Sequence, residues 1–198
     1  MAPRFIILFN GPPRTGKDTA SEYLIQQLHS SVILKFTEPV KNMTHERLDL
    51  NVPHYHYETL KDTPLSEFEG LTPREAYIET SRKLRQEKGN NAVAKLFVES
   101  VMNSNEEIVI NPDIGYDFEA EELFNAFDVN KVLLFKINRV DKTFENDCRT
   151  WLTVDKKYPE LKTVFVDNDD KSVFLDSVLE NVYGFINSHN NDMIYWVK

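Results

Sequence analysis

Residues 11–19 are the part of the sequence whose residue types and spacing most clearly imply chemistry. They read GPPRTGKDT, with the G-x-x-x-x-G-K spacing of a phosphate-binding loop. Glycines at these places let backbone N–H groups turn inward around phosphate oxygens, and the N-terminus of a following helix attracts negative charge. Lys17 is expected to contact the β- and γ-phosphates. We predict that the whole loop binds a nucleoside triphosphate through Gly11, Pro12, Pro13, Arg14, Thr15, Gly16, Lys17, Asp18 and Thr19.

Two charged residues of the loop are candidates for a role in phosphate transfer. Arg14 is a candidate to neutralise the charge that develops on a transferring phosphoryl group. The position after the lysine is ordinarily Ser or Thr, whose hydroxyl binds magnesium, but here Asp18 precedes Thr19. The Asp18 carboxylate could ligate Mg²⁺, orient Lys17 or Arg14, or cap the helix. The sequence leaves these roles open, as it does the choice between Asp18 and Thr19 as metal contact.

The elements that must position this loop are visible as apolar runs. Residues 5–9 are continuously apolar, as in a central parallel strand covered on both faces. Similar runs at 31–36, 107–110, 131–137 and 162–166 alternate with segments of helical period, in the order β-α-β, a helical insert, then β-α-β-α-β-α. This predicts an α/β fold of the P-loop NTPase type, with three layers and a parallel sheet of about five strands with helices on both faces.

Residues 44–70 do not fit this alternation, since they contain prolines, three histidines and no clear period. We interpret them as irregular and part of an acceptor-side insertion. Thr72, Pro73 and Glu75 then have the pattern of a helix start, as N-cap, N1 and N3. We predict one domain over 1–198, with the insertion at about 42–104 and a lid at about 138–152.

Composition limits the class of protein. The 198 residues carry a formal net charge of -9, so no overall attraction to nucleic acid is expected, although a local basic groove is compatible with it. The single cysteine, Cys148, excludes an intramolecular disulfide and a multi-cysteine zinc site. The first apolar run is too short for a secretory signal, and no stretch reaches the length of a membrane span. We therefore expect a cytoplasmic protein without membrane association.

The loop resembles that of the bacteriophage deoxynucleoside monophosphate kinases, relatives of adenylate and thymidylate kinase, which commonly reads G-x-x-R-S/T-G-K-D-T. Three later segments are also similar. Residues 36–41, FTEPVK, resemble F-A-x-P-L-K; residues 72–75, TPRE, resemble a T-P-R-E helix start; and residues 166–169, VDND, resemble an I-x-N-D segment beside adenine. Animal phosphomevalonate kinases share the G-K-D loop, so the loop alone does not choose the acceptor.

The resemblance implies ATP as the phosphate donor and Mg²⁺ as the metal ion. It also implies a cytoplasmic location, in the infected host cell if the chain is phage-encoded, and the homodimer that is common among such kinases. It also implies roles for residues outside the loop. Asn168 would lie near the adenine, and Arg139 and Arg149 would belong to a lid that closes over ATP and excludes water. Candidate acceptor-binding residues are Glu38, Lys41, Arg74, Arg82 and Glu119; the two arginines belong to a basic helix with Lys83, Arg85 and Lys88.

Residues 113–121 match the family imperfectly. They read DIGYDFEAE and resemble D-V-R-F-P-N-E-A-E. Asp113 follows the third strand, where open α/β sheets place their sites, and could hold Mg²⁺ or accept a proton from the acceptor. Gly115 stands where such kinases have an arginine that helps to grip phosphate. An anionic acceptor needs cations, whereas a hydroxyl acceptor gains from a carboxylate base.

Three functions therefore remain open. The first is transfer of the γ-phosphate of ATP to a deoxynucleotide, most simply a dNMP. The second is phosphorylation of 5-hydroxymethyluridine in DNA, an activity of some phage enzymes that resemble this family. The third is a nucleotide-binding switch without catalysis. A rise in dNMP turnover in a Gly115→Arg variant would indicate a monophosphate site that is real but weakened.

Overall fold

The computed structural model describes residues 3–145 and 147–189. Its five strands are β1 (Phe5–Asn10), β2 (Ser31–Ile33), β3 (Ile108–Asn111), β4 (Val132–Asn138) and β5 (Lys162–Asp167). Its α-helices are α1 (Lys17–Gln27), α2 (Glu38–Arg47), α3 (Pro73–Lys88), α4 (Ala92–Met102), α5 (Asp117–Phe124) and α6 (Lys171–His189). Short 3₁₀ helices occur at His54–Leu60, Ser66–Phe68, Val129–Lys131 and Val154–Lys156.

The strands form one parallel sheet in the order β2-β3-β1-β4-β5. The central strand β1 pairs with β3 on one side, with Ile7 opposite Ile110, and with β4 on the other, with Ile7 opposite Leu133. The chain therefore crosses from one side of β1 to the other between β3 and β4. In such sheets ligands bind at the carboxyl ends of strands beside this switch point, which is where the loop after β1 lies. The predicted fold class is confirmed.

The sheet is apolar on both faces because helices cover both. On one face Phe5, Ile7 and Phe9 pack in a common core with α1 and α6. Ile6 and Leu8, whose side chains point the other way, are equally buried. This explains why β1 reads as a continuous apolar run rather than an alternating one.

Two details of the predicted order are wrong. The second strand covers only Ser31–Ile33, half of the predicted run. No α-helix occurs between β4 and β5 in the described residues 139–145 and 147–161, where a 3₁₀ turn at Val154–Lys156 is the helical element. Backbone groups there are bonded by side chains from elsewhere, as when Asp117 accepts from the backbone N–H of Thr153 at 2.7 Å. Tertiary bonds have replaced the local helical ones.

The chain forms two compact units, residues 36–97 and the rest. The unit 36–97 contains most of the segment predicted as an insertion. Its helix α3 starts as the sequence predicts: Thr72 is the N-cap, and its side chain and that of Glu75 form a reciprocal capping box. The buried ring of His45 bonds the Val52 carbonyl and the Tyr77 hydroxyl, each at 2.9 Å. The histidine is therefore structural there.

Among residues 3–145 and 147–189, every helix is too short or too polar to cross a lipid bilayer.

Candidate functional site

The loop after β1 has a backbone that only glycine permits at two positions. Gly16 has φ 101°, a left-handed conformation, and a Cβ there would collide with the side-chain amide of Asn168. A Cβ at Gly11 would collide with the carbonyl oxygen of Ile137 at the end of β4. Both glycines thus bring the loop backbone close to its neighbours. The spacing recognised in the sequence corresponds to a packed, well-defined loop.

Lys17 is the first residue of α1 and is 6% exposed. Its Nζ donates to the carbonyl oxygens of Gly11 and Pro12, both at 2.6 Å. Burial, followed by the positive charge of Arg149, lowers the pKa of Lys17 from 10.5 to about 8. The lysine therefore lies inside the curve of the loop and is bonded to the loop's own carbonyls.

Arg14 is exposed at the tip of the loop and has φ 65°, a conformation that non-glycine residues rarely adopt. Arg139, just after β4, donates from Nη1 to the Arg14 carbonyl at 3.4 Å. Inside the loop the hydroxyl of Thr15 donates to the Pro12 carbonyl at 2.9 Å. The predicted residues Arg14 and Arg139 are thus brought together, while Pro13 and Thr19 are half-buried in the loop and the first helical turn.

Asn168 braces the loop from the end of β5. Its buried side-chain amide donates to the Thr15 carbonyl at 2.7 Å, and its backbone N–H donates to the Asn138 carbonyl at 2.9 Å. Its side chain therefore fixes the loop backbone next to Gly16. Its predicted place near an adenine stays a prediction.

A cavity of about 410 Å³ adjoins the loop on this side of the sheet, within the size range of small-molecule sites. Four cationic and two anionic side chains are among its lining residues, which favours an anionic ligand. The lining residues are Arg14, Gly16, Lys17, Asp18, Thr19, Arg139, Asn168, Asp169 and Lys171. A second cavity, of about 450 Å³ beside Lys162 and His189, has no predicted site residue in its lining.

Asp18 is in the first turn of α1 and forms an ion pair with Lys35, with 2.6 Å between Oδ1 and Nζ. Its side chain is 66% exposed, and Gly16 occupies the N-cap position. Asp18 is therefore not the N-cap of α1, which was one of the three roles left open by the sequence. Lys35, two residues beyond β2, was not among the predicted site residues, because no local pattern links it to Asp18.

Asp113 follows β3, as predicted, and its Oδ1 accepts a hydrogen bond from the side-chain amide of Asn111 at 2.8 Å. Its charge partly opposes the lowering of the Lys17 pKa by burial and adds to the raising of the Arg149 pKa by Asp147, so these three side chains belong to one electrostatic cluster. Glu119 is buried, and its Oε2 accepts from the backbone N–H groups of Gly115 and Tyr116 at 3.0 and 3.2 Å. Its carboxylate therefore holds the loop after β3.

Arg149 lies over Gly115. A Cβ built on Gly115 would collide with Cγ and Cδ of the arginine. The guanidinium is held by Asp147, with Nε to Oδ1 at 2.9 Å and Nη2 to Oδ2 at 2.7 Å. This pairing raises the pKa of Arg149 and lowers that of Asp147. Asp147 was not among the predicted site residues.

Asn10, the last residue of β1, connects three segments. Its side-chain amide donates to the carbonyls of Ile114 and Thr150, each at 3.2 Å, and its Oδ1 accepts from the Leu152 N–H at 3.1 Å. The carboxyl end of the predicted lid, 138–152, is thereby bonded to the central strand. That range includes Asn146, which lies outside the described residues. Lid closure stays a prediction.

Four predicted acceptor residues belong to the unit 36–97 and are described within it. Glu38 Oε1 lies 3.6 Å from His54 Nε2, and Lys41 Nζ lies 3.7 Å from Glu58 Oε2. In the same unit, Arg74 pairs with Asp62 at 2.6 Å, and Arg82 is exposed on α3. Their predicted role in binding an acceptor stays a prediction.

The loop fits a triphosphate, since Gly11 and Gly16 let its backbone pack tightly against Ile137 and Asn168 and Lys17 lies buried inside its curve. Asp113 and Asp18 offer the carboxylate oxygens that Mg²⁺ prefers, and this ion ordinarily takes one or two carboxylates together with phosphate oxygens and water. Within residues 3–145 and 147–189, His, Cys, Asp and Glu side chains form no group of three or more suited to a metal ion. The residues present therefore fit Mg²⁺ bound jointly with a nucleotide.

Sheet order, loop and lysine together define a phosphate-binding fold of the P-loop type. No family model and no curated protein matches the chain. Among solved structures the chain is similar to a tunicamycin resistance protein from Deinococcus radiodurans, at 13% identity over 92% of this chain and 96% of that one, with a TM-score of 0.41. It is also similar to a gluconokinase from Sinorhizobium meliloti 1021, at 10% identity over 93% and 98%, with a TM-score of 0.43. A thymidylate kinase from Candida albicans is 13% identical over 100% of both chains, with a TM-score of 0.39.

Proposed function

We propose that the chain is an ATP-dependent phosphotransferase. The observation that carries the proposal is the loop itself: Gly11 and Gly16 adopt close-packed conformations around a buried Lys17 at the N-terminus of α1. This combination is suited to a triphosphate. The adjoining cavity, with its excess of cationic side chains, supports the donor side of the proposal.

Lys17 acts first by exchanging partners. Its Nζ leaves the carbonyls of Gly11 and Pro12 and donates to phosphate oxygens of the donor, while the α1 N-terminus supports the same charge. Arg14 and Arg139, which meet at the mouth of the loop, neutralise charge that grows on the transferring group. Asp113 or Asp18 would hold Mg²⁺, which would supply further charge neutralisation to the phosphates.

The simplest acceptor is a deoxynucleoside monophosphate. Its phosphate is anionic and needs cationic side chains beside the transferring group. Arg149 supplies such a charge in the neighbourhood of Lys17, as its effect on the lysine pKa indicates. Asp113, in the same cluster, is the candidate to position the acceptor or the metal.

The test is transfer of ³²P from [γ-³²P]ATP to each of the four common dNMPs and to DNA containing 5-hydroxymethyluridine. We expect labelled dNDP. A Lys17→Ala variant should lose about 100-fold or more in turnover while keeping its circular dichroism spectrum. Label found only in the DNA would show that the acceptor is a hydroxyl group on a base and not a monophosphate. Nucleotide binding without transfer to any acceptor would indicate a nucleotide-binding switch without catalysis. Unchanged turnover in Lys17→Ala would overturn the phosphotransferase proposal.

A further inference from the structure

Gly115 is a glycine whose own backbone does not require glycine. Its φ lies outside the left-handed region, unlike that of Gly16. A side chain at this position would meet no backbone obstacle among its nearest contacts, which are Cβ, Cγ and Cδ of Arg149. The absence of a side chain at Gly115 therefore serves to admit the arginine.

Arg149 is held firmly in that place. Asp147 binds it through Nε and Nη2, and the same carboxylate accepts from the arginine's backbone N–H at 2.9 Å. Such side-on pairing uses one edge of the guanidinium. Over the described ranges 3–145 and 147–189, Nη1 has no hydrogen-bond partner, so the end of the guanidinium is available to an anion.

The surface beneath the arginine is also fixed. Glu119 accepts from the N–H of Gly115, and the Gly115 carbonyl lies 3.5 Å from the N–H of Thr150, the residue after Arg149. Asn10 bonds the carbonyl of the same Thr150. The residue after Arg149 is thus bonded both to the loop after β3 and to the end of β1, which fixes the position of the arginine.

The side of β1 on which Arg149 lies indicates whether the arginine contacts a phosphate of the donor or that of the acceptor. Gly115 and Asp113 follow β3, whereas Arg139 and Asn168, which line the cavity beside the loop, follow β4 and β5. β3 and β4 flank β1 on opposite sides. Arg149 is absent from the cavity lining yet acts electrostatically on Lys17. Arg149, which contacts Gly115, therefore lies on the β3 side of β1, whereas the cavity is lined from the β4 and β5 side.

We propose that Arg149 binds the phosphate of an anionic acceptor. Gly115, which has no side chain, leaves the space that the arginine occupies, and Asp147 is its positioning residue. The proposal rests on the phosphotransferase function proposed above and deepens it by naming the acceptor as a phosphate-bearing molecule. It also predicts the opposite of the rise in turnover by which a weakened monophosphate site would reveal itself in a Gly115→Arg variant. Gly115→Arg alone should lower dNMP turnover, because the new side chain displaces the arginine already there.

The experiment is a double-mutant cycle read in two affinities, for dTMP and for ADP, together with dTMP turnover. Arg149→Ala should weaken dTMP binding about 10- to 100-fold, the range for a hydrogen bond between charged groups, and change ADP binding less than about threefold. Gly115→Ala should weaken dTMP binding in the same way. In the Arg149→Ala background, neither Gly115→Ala nor Asp147→Asn should weaken dTMP binding further, because the group they position is absent.

The exchange variant Gly115→Arg/Arg149→Gly provides the rescue arm, since it returns a guanidinium from the other side of the contact. We expect it to bind dTMP more tightly than Arg149→Ala. Two substitutions in the same unit serve as controls: Arg4→Ala removes an arginine whose side chain is 52% exposed just before β1, and Gly184→Ala adds a Cβ with no neighbour within 4 Å. Both should leave both affinities unchanged.

The outcomes separate this inference from the function beneath it. If wild type phosphorylates dTMP but Arg149→Ala weakens the binding of ADP and not that of dTMP, the arginine binds the donor. The inference then fails, while the proposed phosphotransferase function is unaffected. Additive losses of dTMP affinity from Gly115→Ala and Arg149→Ala would also refute the claim that Gly115 acts by making room for Arg149. Transfer to hydroxymethylated DNA alone would overturn the anionic acceptor but keep the phosphotransferase. Absence of any transfer would refute the proposed function itself.

Discussion

Replacing Lys17 by methionine should change how the stability of the nucleotide-free protein depends on pH. The lysine is buried without a carboxylate on its Nζ, and burial lowers its pKa from 10.5 to about 8. Between these two values the unfolded chain binds the proton and the folded chain does not. The free energy of unfolding of wild type therefore contains a contribution that rises with pH from about 8 to 10.5.

The size of this contribution is set by the two pKa values. At pH 7 both states are protonated, and the buried charge costs about 3 kcal/mol, since one pKa unit corresponds to about 1.4 kcal/mol. At pH 9.5 the folded lysine is neutral, and the cost has fallen to about 1 kcal/mol. Relative to Lys17→Met, wild type should thus gain about 2 kcal/mol of stability between pH 7 and pH 9.5.

Urea denaturation of both proteins at several pH values, followed by circular dichroism, measures this difference. Methionine also removes two hydrogen bonds to loop carbonyls, which shifts the comparison by an amount independent of pH. Lys156→Met, which removes an exposed lysine, controls for the loss of one positive charge. If the difference in stability between wild type and Lys17→Met stays constant, within about 0.5 kcal/mol, from pH 7 to 9.5, the pKa of Lys17 is not lowered on folding and the reasoning is refuted.

Three further predictions concern the structure around the loop. Gly16→Ala should weaken ATP binding about tenfold or more by calorimetry, because its Cβ collides with a neighbouring amide at a left-handed φ, whereas Gly184→Ala should not. Asn10→Ala, which loses three hydrogen bonds, should lower the free energy of unfolding by about 2–3 kcal/mol in urea titrations; a loss below about 0.5 kcal/mol would show that these bonds do not hold the segment. Asp155→Ala leaves the nearly buried Lys136 without its partner at 2.7 Å and should cost about 3 kcal/mol, a loss that Asp155→Ala/Lys136→Met should largely remove.

The loop and the sheet could be predicted from the sequence because their signals are local. Residues 11–19 form one continuous motif, and the strands read as predominantly apolar runs. The capping box at Thr72 is local as well, since its two members are three residues apart. Each of these structural features can therefore be predicted from a short stretch of sequence.

The rest of the site depends on contacts between distant positions, and no window contains them. Asn10 bonds residues more than 100 positions away, and Asn168 reaches a loop 153 positions before it. Gly115 showed in the sequence only that a side chain is missing. That the space belongs to Arg149, 34 positions later, depends on how the segment after β4 folds back over β3. Asp147 was missed for the same reason.

The contact between Trp151 and Phe144 gives the predicted lid an optical reporter. Their rings meet edge to face with centroids 5.4 Å apart, and Trp151 is 38% exposed next to the bonded end of the segment. The chain has two tryptophans, of which Trp196 lies outside the described residues. In a Trp196→Phe variant Trp151 is the only tryptophan, so indole emission reports on it alone. A rearrangement that separates Phe144 from it would move its fluorescence to longer wavelength, so nucleotide-driven closure could be followed in real time without an attached dye.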